Sequence, residues 1–525
     1  MRSEPHVVVV GAGIGGLVSA LLLAARGVAV TLVEAQAEPG GKMRRVAVDG
    51  AWIDAGPTVF TMRWVFEQIL AQAGATLDDT LALQPLGVLA RHAWRGEAQT
   101  LDLYADAARS ADAIAAFSSP AEARRFQAFC RQAREVYQAL EAPYIRGHRP
   151  SLLSLGRALG PRGLATLAGL GPFANLWSAL AKHFHDPRLQ QLFGRYATYC
   201  GASPWGAPAT LMLVAQVELD GVWAVGGGMH AVAQAFAALG EARGVVPRYG
   251  CAVRRIVVDS GRTTAVELAN GERLPADAVV FNGDAQALAL GLLGDDAKKA
   301  VRPRKLAQRS LSAVTWAVHA RAQGFPLVRH NVFFDHDYRS EFDDIFRQRR
   351  LPQQGTVYVC AQDRDDHAAG PAGPAGAERL LCLVNAPADG DSRRFDPEET
   401  DPCEHRSLAL LRQCGLQLTP QAHQVQRTTP HDFHQLFPGS AGALYGMATH
   451  GWLSSFQRPG AASAVSGLYL AGGSVHPGPG VPMAALSGWR AAEALMAGLV
   501  STRRWRPAVT SGGTSMPSAM TAATR

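Results

Sequence analysis

The sequence predicts an α/β fold, a parallel sheet wound with helices and joined to a second, α+β unit, and three observations carry that prediction. An apolar strand, His6-Val-Val-Val-Val10, opens directly into Gly11-Ala12-Gly13-Ile14-Gly15-Gly16. Leu17 to Ala25 continues as an unbroken helix former, and Val28 to Val33 supplies a second strand ending in Glu34. Strands and helix starts of the same kind return after residue 220, behind a long interval of different character.

Strand, glycine turn, helix and return strand ending in an acid form the Rossmann-like unit that binds a dinucleotide. Gly11 allows the turn, Gly13 lets backbone approach the pyrophosphate, and Gly16 lets the helix pack on the strand. The pyrophosphate then lies at a helix N-terminus, where N–H groups point at it. Glu34 accepts hydrogen bonds from both ribose hydroxyls and repels a 2′-phosphate, so FAD or NAD is expected rather than NADP. Ala12, Ile14, Gly15 and Ala35 belong to the same expected contact set.

At 525 residues, with 47% hydrophobic and 18% charged, the chain buries a large interior and is expected to form two domains. The net charge of +7 is spread along the chain without a basic run or aromatic ladder, which argues against a nucleic-acid partner and for weak attraction to an anionic membrane surface. Seven cysteines without a CxxC pair suit a reducing compartment and speak against a disulfide frame or structural zinc. Met1 to Pro5 is too short for a secretory signal, so a cytoplasmic location is expected.

Three separated segments, 1–60, 221–310 and 445–500, are assigned to one discontinuous cofactor-binding domain. Ala51-Trp-Ile-Asp54-Ala-Gly56-Pro57-Thr58 reads as a strand ending in a glycine-proline turn. Gly226-Gly-Gly-Met229 leads into a helix, followed by strands near Val245, over Ala252–Val258 and over Asp277–Asn282, with a hairpin through Asn270-Gly271. Gly467-Leu-Tyr-Leu-Ala-Gly472-Gly473 is a strand meeting a loop, and Val481-Pro482-Met483 starts the last helix. Residues 61–220 show helical spacing and 311–444 alternating runs (Ser312–Ala320, Thr356–Ala361, Arg379–Asn385) that suggest an antiparallel sheet. Together they are assigned to a substrate- and membrane-facing domain. The tail 501–525, rich in Ser, Thr, Gly and Ala, is expected to be disordered.

The last helix also has an electrostatic use. A reduced flavin carries negative charge near N1 and the C2 carbonyl, and a helix starting at Pro482-Met483 points its positive end there. Pro477, Gly478, Pro479 and Gly480 give the preceding loop the backbone freedom for close passage along a ring. His476 is tempting as a base but reads better as a loop histidine. Gly40 and Gly41 permit further pyrophosphate contact, and Lys42 or Arg44 either bonds the phosphates or is solvated.

The chain resembles the carotenoid desaturase family of FAD oxidoreductases, within the amine-oxidase-like flavoproteins. The carrying residues are Val9-Val-Gly-Ala-Gly-Ile-Gly-Gly16, Glu34, Pro39-Gly-Gly41, Asp54-Ala-Gly-Pro-Thr58, Gly226-Gly-Gly-Met229 and the stretch from Gly467 to Pro482. Family members usually carry arginine after the paired glycines, where this chain has Lys42. With Thr58-Val-Phe-Thr-Met-Arg-Trp64, that departure resembles the branch that introduces the 3,4 double bond into 1-hydroxylated acyclic carotenoids, such as hydroxyneurosporene or methoxyneurosporene, in purple photosynthetic bacteria. The resemblance implies FAD as cofactor, with Gly11, Gly13, Gly16 and Glu34 holding the ADP half. Lys42, Gly56, Pro57 and Thr58 would lie along the pyrophosphate and isoalloxazine, and Val253 against the adenine. Gly473, Val481, Pro482 and Met483 would line the ribityl chain and pyrimidine edge.

Removing two hydrogens from adjacent carbons needs a hydride acceptor and a proton acceptor, but no nucleophile or metal. No catalytic side chain is identified from sequence, and His183-Phe-His185, expected on a loop, is no metal site. The electron acceptor is expected to be oxygen or quinone. A forty-carbon substrate is insoluble, so access from a bilayer is expected, peripherally at the inner photosynthetic membrane. The uncharged stretch Gly163–Ala181 reads equally as two short helices dipping into one leaflet or as buried substrate-domain helices. The competing functions are an amine oxidase, a flavin-dependent carotenoid isomerase and a non-enzymatic prenyl-lipid escort.

Overall fold

The computed structural model describes residues 5–504, apart from 172–173, 304, 306–307 and 365–375. Five parallel strands form one sheet: β1 (His6–Val10), β2 (Ala29–Val33), β3 (Val246–Arg248), β4 (Ala278–Phe281) and β5 (Leu468–Leu470), in the order β5-β4-β1-β2-β3. The four valines of β1 account for its central place. Val7 and Val9 enter the core around helix α1 (Ile14–Ala24), while Val8 and Val10 enter the core on the opposite face. A strand buried on both faces needs apolar side chains at every position, so its sequence does not alternate.

On the first face α1 packs against α2 (Met229–Ala242) and α3 (Val481–Arg504). The second face is covered by a three-stranded antiparallel sheet, Val253–Asp259, Arg262–Leu268 and Arg273–Pro275. Its Ile256, Val266 and Leu268 join the core of Val8 and Val10.

A second sheet of eight strands contains the three alternating runs as Ser312–Gln323, Val357–Ala361 and Ala377–Ala386, paired antiparallel. It departs from expectation in two ways. The interval 61–220 is not helical throughout: Val88–Trp94 and Thr100–Tyr104 form a hairpin at the edge of this sheet. A short alternating segment inside a long Ala- and Arg-rich background carries too little period-2 signal to stand out. The sheet is also mixed, because Val88–Trp94 runs parallel to His330–Phe334, with helices and strands of both sheets in the chain between them. The hairpin Arg45–Val48 and Ala51–Asp54 leans onto it through Val46, Val48, Ile53, Ala55 and Ala317.

The stretch Gly163–Ala181 is divided between two helices. A helix runs from Leu152 to Gly169 with a kink at Gly160-Pro161, and a second spans Leu176–His183. Leu170, Leu176 and Leu180 lie in the core with at most 5% exposure, so the second helix is a packed element; an uncharged amphipathic stretch satisfies a protein core as readily as a bilayer. Of these two helices, only the first carries exposed leucines: Leu152, Leu153 and Leu164. Phe173 lies outside the described residues. His183 ends its helix instead of lying on a loop, with Nε2 2.6 Å from Gln132 Oε1. Residues 501–504, expected in the disordered tail, continue α3, and 505–525 lie outside the described residues. No described helix is long and apolar enough to cross a membrane.

Candidate active site

The glycine turn is held by backbone. Gly11 takes φ +99°, a left-handed conformation natural to glycine, and donates to Val33 O at 2.7 Å. A Cβ on Gly16 would stand 2.0 Å from Gly11 O, so only glycine lets α1 start this close to β1. Gly13 is the N-cap of α1 and no side chain caps it, which leaves the helix's positive end facing the cavity described below.

Glu34 ends β2 with 8% exposure, its carboxylate on the cavity wall. Oε2 accepts the Ala12 N–H at 2.6 Å and Oε1 the Gln36 N–H at 2.9 Å, fixing the carboxylate while leaving lone pairs free for hydroxyl donors. Two members of the expected contact set therefore do not face the cavity. Ala12 is fully buried behind Glu34, and Gly16 is pressed on Gly11.

The scattered motifs close around this turn. Gly40 donates to Ala12 O at 2.9 Å, and a Cβ on Gly56 would lie 1.8 Å from Lys42 O, so the paired-glycine segment threads between the first loop and the glycine-proline turn. Neither cation beyond the pair is simply solvated. Lys42 Nζ donates to Leu444 O at 2.5 Å and Arg44 to Thr428 Oγ1 at 2.9 Å, with burial holding the Arg44 pKa below its usual value. His476 is 3% exposed, off the cavity wall, with Nε2 3.3 Å from Gly147 O; burial lowers its pKa to about 4.

A cavity of about 920 Å³ gathers the rest. Gly11, Gly13, Ile14, Gly15, Glu34, Ala35, Gly41, Lys42, Gly56, Pro57, Thr58, Val253, Gly473, Val481, Pro482 and Met483 all line it. Its floor comes from the second sheet, where alternation sends Leu381, Leu383 and Asn385 into the cavity and Leu380, Cys382 and Val384 into the core behind. Val59, Leu211, Val214, Val217 and Val222 add apolar wall.

Sequence reasoning misses the polar groups among these apolar ones. Thr58 Oγ1 and Tyr358 OH are 2.7 Å apart, and His330 Nδ1 lies 2.7 Å from the same phenol; burial lowers the His330 pKa to about 3. Nearby, Arg195 Nη1 donates to Tyr199 OH at 2.9 Å, while Glu218 accepts from Tyr196 OH at 2.7 Å and Tyr199 OH at 3.0 Å. Burial raises the Glu218 pKa against the opposing effect of these two hydrogen bonds. The one sequence signal for this cluster is the polar interruption Arg195-Tyr-Ala-Thr-Tyr199 after the apolar Leu192-Phe193. Among the described residues no group of three or more His, Cys, Asp or Glu side chains is placed to hold a metal ion.

The pattern for flavin-containing amine oxidoreductases matches residues 14–496. The chain is 68% identical over 518 residues to the hydroxyneurosporene desaturase of Rubrivivax gelatinosus, covering 98% of each chain. It is 47% identical to that of Cereibacter sphaeroides, covering 95% of this chain and 99% of the relative. In structure it resembles putrescine oxidase bound to putrescine, with TM-score 0.59 at 15% identity over 94% of this chain and 99% of the other. The cyclohexylamine oxidase of Brevibacterium oxydans gives TM-score 0.55 at 15% identity over 96% and 100%. FAD is the cofactor, and the uncapped start of α1 beside the Glu34 carboxylate is the donor and acceptor set an adenine dinucleotide requires. The chain belongs to the flavin-containing amine oxidoreductases and, within them, to the carotenoid desaturases that include the hydroxyneurosporene desaturases.

Proposed function

We propose that the chain desaturates an acyclic carotenoid, introducing the 3,4 double bond into a 1-hydroxy- or 1-methoxy-carotenoid. One observation carries the reading: a single cavity extends from the glycine turn and Glu34 to the apolar floor of the second sheet, so a nucleotide end and a polyene end share one space. The 68% identity to a relative named for hydroxyneurosporene supports the substrate class.

The cofactor contacts proposed are those that line the cavity, with Glu34 at the ribose, Gly13 to Gly15 at the pyrophosphate, Val253 at the adenine, and Thr58 with Val481 to Met483 at the ring. FAD, when bound, supplies the hydride acceptor. The chain's own part is to hold the polyene against that acceptor and keep water out, for which Leu381, Leu383 and Val214 are suited. The parallel sheet and its covering elements are read as the cofactor domain, and the eight-stranded sheet with its helices as the substrate domain.

Arg195 weighs against an amine substrate, because a guanidinium on the cavity wall repels an ammonium. The formed glycine turn and Glu34 weigh against a lipid escort, which has no use for a pyrophosphate cradle. The substrate's insolubility requires delivery from a bilayer, and we read the exposed Leu152, Leu153 and Leu164, interspersed with exposed Arg157 and Arg162, as the face that rests on the cytoplasmic side of the photosynthetic membrane. Electrons then pass to oxygen or to a membrane quinone.

The deciding experiment incubates purified, yellow, FAD-loaded protein with liposomes containing hydroxyneurosporene and follows the absorption spectrum. A red shift from one added conjugated bond is expected. Geometric isomers without added conjugation would establish the isomerase reading instead, and peroxide release from amines with no effect on the polyene would establish the oxidase.

A further inference from the structure

Arg195 is the unexplained charge of the cavity. It lines the wall, is half-buried, and meets the hydroxyl of Tyr199 instead of a carboxylate. Its surroundings are the faces of Tyr199 and Tyr358, whose ring centres are 5.2 and 5.1 Å from the guanidinium carbon, and its hydrogen bond to protein is to Tyr199 OH. Placing a cation among apolar and aromatic side chains, with Glu218 reached through Tyr199 instead of by a direct ion pair, is costly, and such placements mark functional sites.

The hydrogen bonds around it have a direction. Glu218 accepts the Tyr199 hydroxyl proton, so the Tyr199 oxygen is turned to accept from Arg195, and the remaining guanidinium N–H groups are left for an acceptor from outside the protein. The site thus offers donors. A neutral ether or hydroxyl oxygen fits it, because either can accept; a carboxylate is not needed and an ammonium is excluded.

Its location fits a particular oxygen. Arg195 stacks over Tyr358, whose hydroxyl meets Thr58, a residue assigned to the cofactor ring. In a 1-oxygenated carotenoid the oxygen is three bonds from C3, so with bonds of about 1.5 Å it lies roughly 3–4 Å from a reacting carbon. A group that recognises that oxygen must therefore stand beside the ring, not at the far end of the cavity.

We propose that Arg195, oriented through Tyr199 and Glu218, donates the hydrogen bond that anchors the C1 oxygen of the substrate and makes the enzyme select oxygenated carotenoids over the parent hydrocarbon. The inference rests on the desaturase reading above and adds to it the residue that sets substrate choice and places C3–C4 for reaction. It also accounts for hydroxy and methoxy ends together, since both present an acceptor to the same donor.

The test compares kcat/KM for hydroxyneurosporene with that for the same polyene lacking the hydroxyl, in wild type, Arg195→Met and Arg195→Lys, each purified with FAD and checked by flavin absorbance. The ratio of the two values is expected to fall about 10- to 100-fold in Arg195→Met, the worth of one hydrogen bond from a charged donor, and to recover partly in Arg195→Lys. Tyr199→Phe, which removes the orienting hydroxyl while keeping the ring, is expected to lower the ratio less. A merely structural Arg195 would lower both values together and leave the ratio unchanged, which overturns the anchor while leaving the desaturase reading in place. Absence of any polyene oxidation by FAD-loaded wild type overturns both.

Discussion

Asp54 accepts the backbone N–H of Met229 on Oδ2 at 2.5 Å, across 175 residues of sequence, and that of His230 on Oδ1 at 3.2 Å. It is the side-chain cap of α2, supplied by another strand because the local cap position is Gly228. Gly228 is required there, since a Cβ would lie 2.1 Å from Asp54 Oδ2. The two motifs Asp54-Ala-Gly-Pro-Thr58 and Gly226-Gly-Gly-Met229 are thus one contact. Asp54→Ala is expected to cost about 2–3 kcal/mol, read as a lower urea midpoint, and Asp54→Asn less, because one acceptor oxygen remains.

Gly56 and Lys42 make a second contact of this kind. With 1.8 Å between a would-be Cβ and Lys42 O, Gly56→Ala must push the Gly40-Gly41-Lys42 segment off the glycine turn. The expected result is a lower melting temperature with a larger loss of bound flavin absorbance. Full flavin occupancy with unchanged melting would show that the segment yields freely.

The contrast between these motifs and the Arg195 cluster explains what the sequence discloses. Gly11, Gly16 and Glu34 do jobs set by backbone geometry or by a strand end, so their residue types and spacing are legible from the amino-acid order alone, whereas Asp54 and Gly56 are legible as a strand end and a turn but not in their contacts with Met229 and Lys42. The parallel strands are legible too, because β1, β4 and their neighbours are dominated by apolar residues without alternation. Val88–Trp94 is hidden because its place between Thr100–Tyr104 and His330–Phe334 depends on pairing with a strand far along the chain. Arg195, Tyr358 and Glu218 come from a short 3-10 turn, a sheet strand and a helix, and only their convergence on one wall gives them meaning.

Glu34→Arg is expected to abolish FAD retention while leaving far-ultraviolet circular dichroism recognisably native. The carboxylate that caps Ala12 N–H, and that is proposed to hold the ribose, becomes a cation. Glu34→Gln, which keeps an acceptor oxygen for Ala12, is expected to weaken retention by about 10- to 100-fold instead. Full occupancy in Glu34→Arg would remove Glu34 from the cofactor site.

Stability is expected to fall in mild acid. Burial lowers the pKa of His92 to about 4, of His330 to about 3 and of His476 to about 4. Below 6.5 the unfolded chain takes up these protons and the native protein does not, so stability present at neutral pH is lost as pH drops toward 4. Asp54, Glu218 and Glu341, raised by burial, act in the opposite sense because the native state binds their protons first. Unfolding free energies from urea titrations at about pH 7 and about pH 5.5 are expected to differ by on the order of 1 kcal/mol per histidine. Equal values would mean that these imidazoles are hydrated in the native protein.

The exposed leucines allow the membrane reading to be separated from catalysis. Leu152 and Leu153 are 51% and 66% exposed at the start of a helix that carries Arg157 and Arg162, so they contribute little to the core and an acidic replacement there leaves folding intact. In bound protein the leucines enter the interface and the arginines meet anionic headgroups. Leu152→Glu/Leu153→Glu is therefore expected to lose flotation with vesicles containing anionic lipid and to lose turnover of carotenoid held in those vesicles. Turnover of detergent-dispersed carotenoid and the flavin spectrum should persist, because neither residue lines the cavity. Unchanged flotation by the double variant would move the contact to another face, such as that of the exposed Trp452 and Leu453.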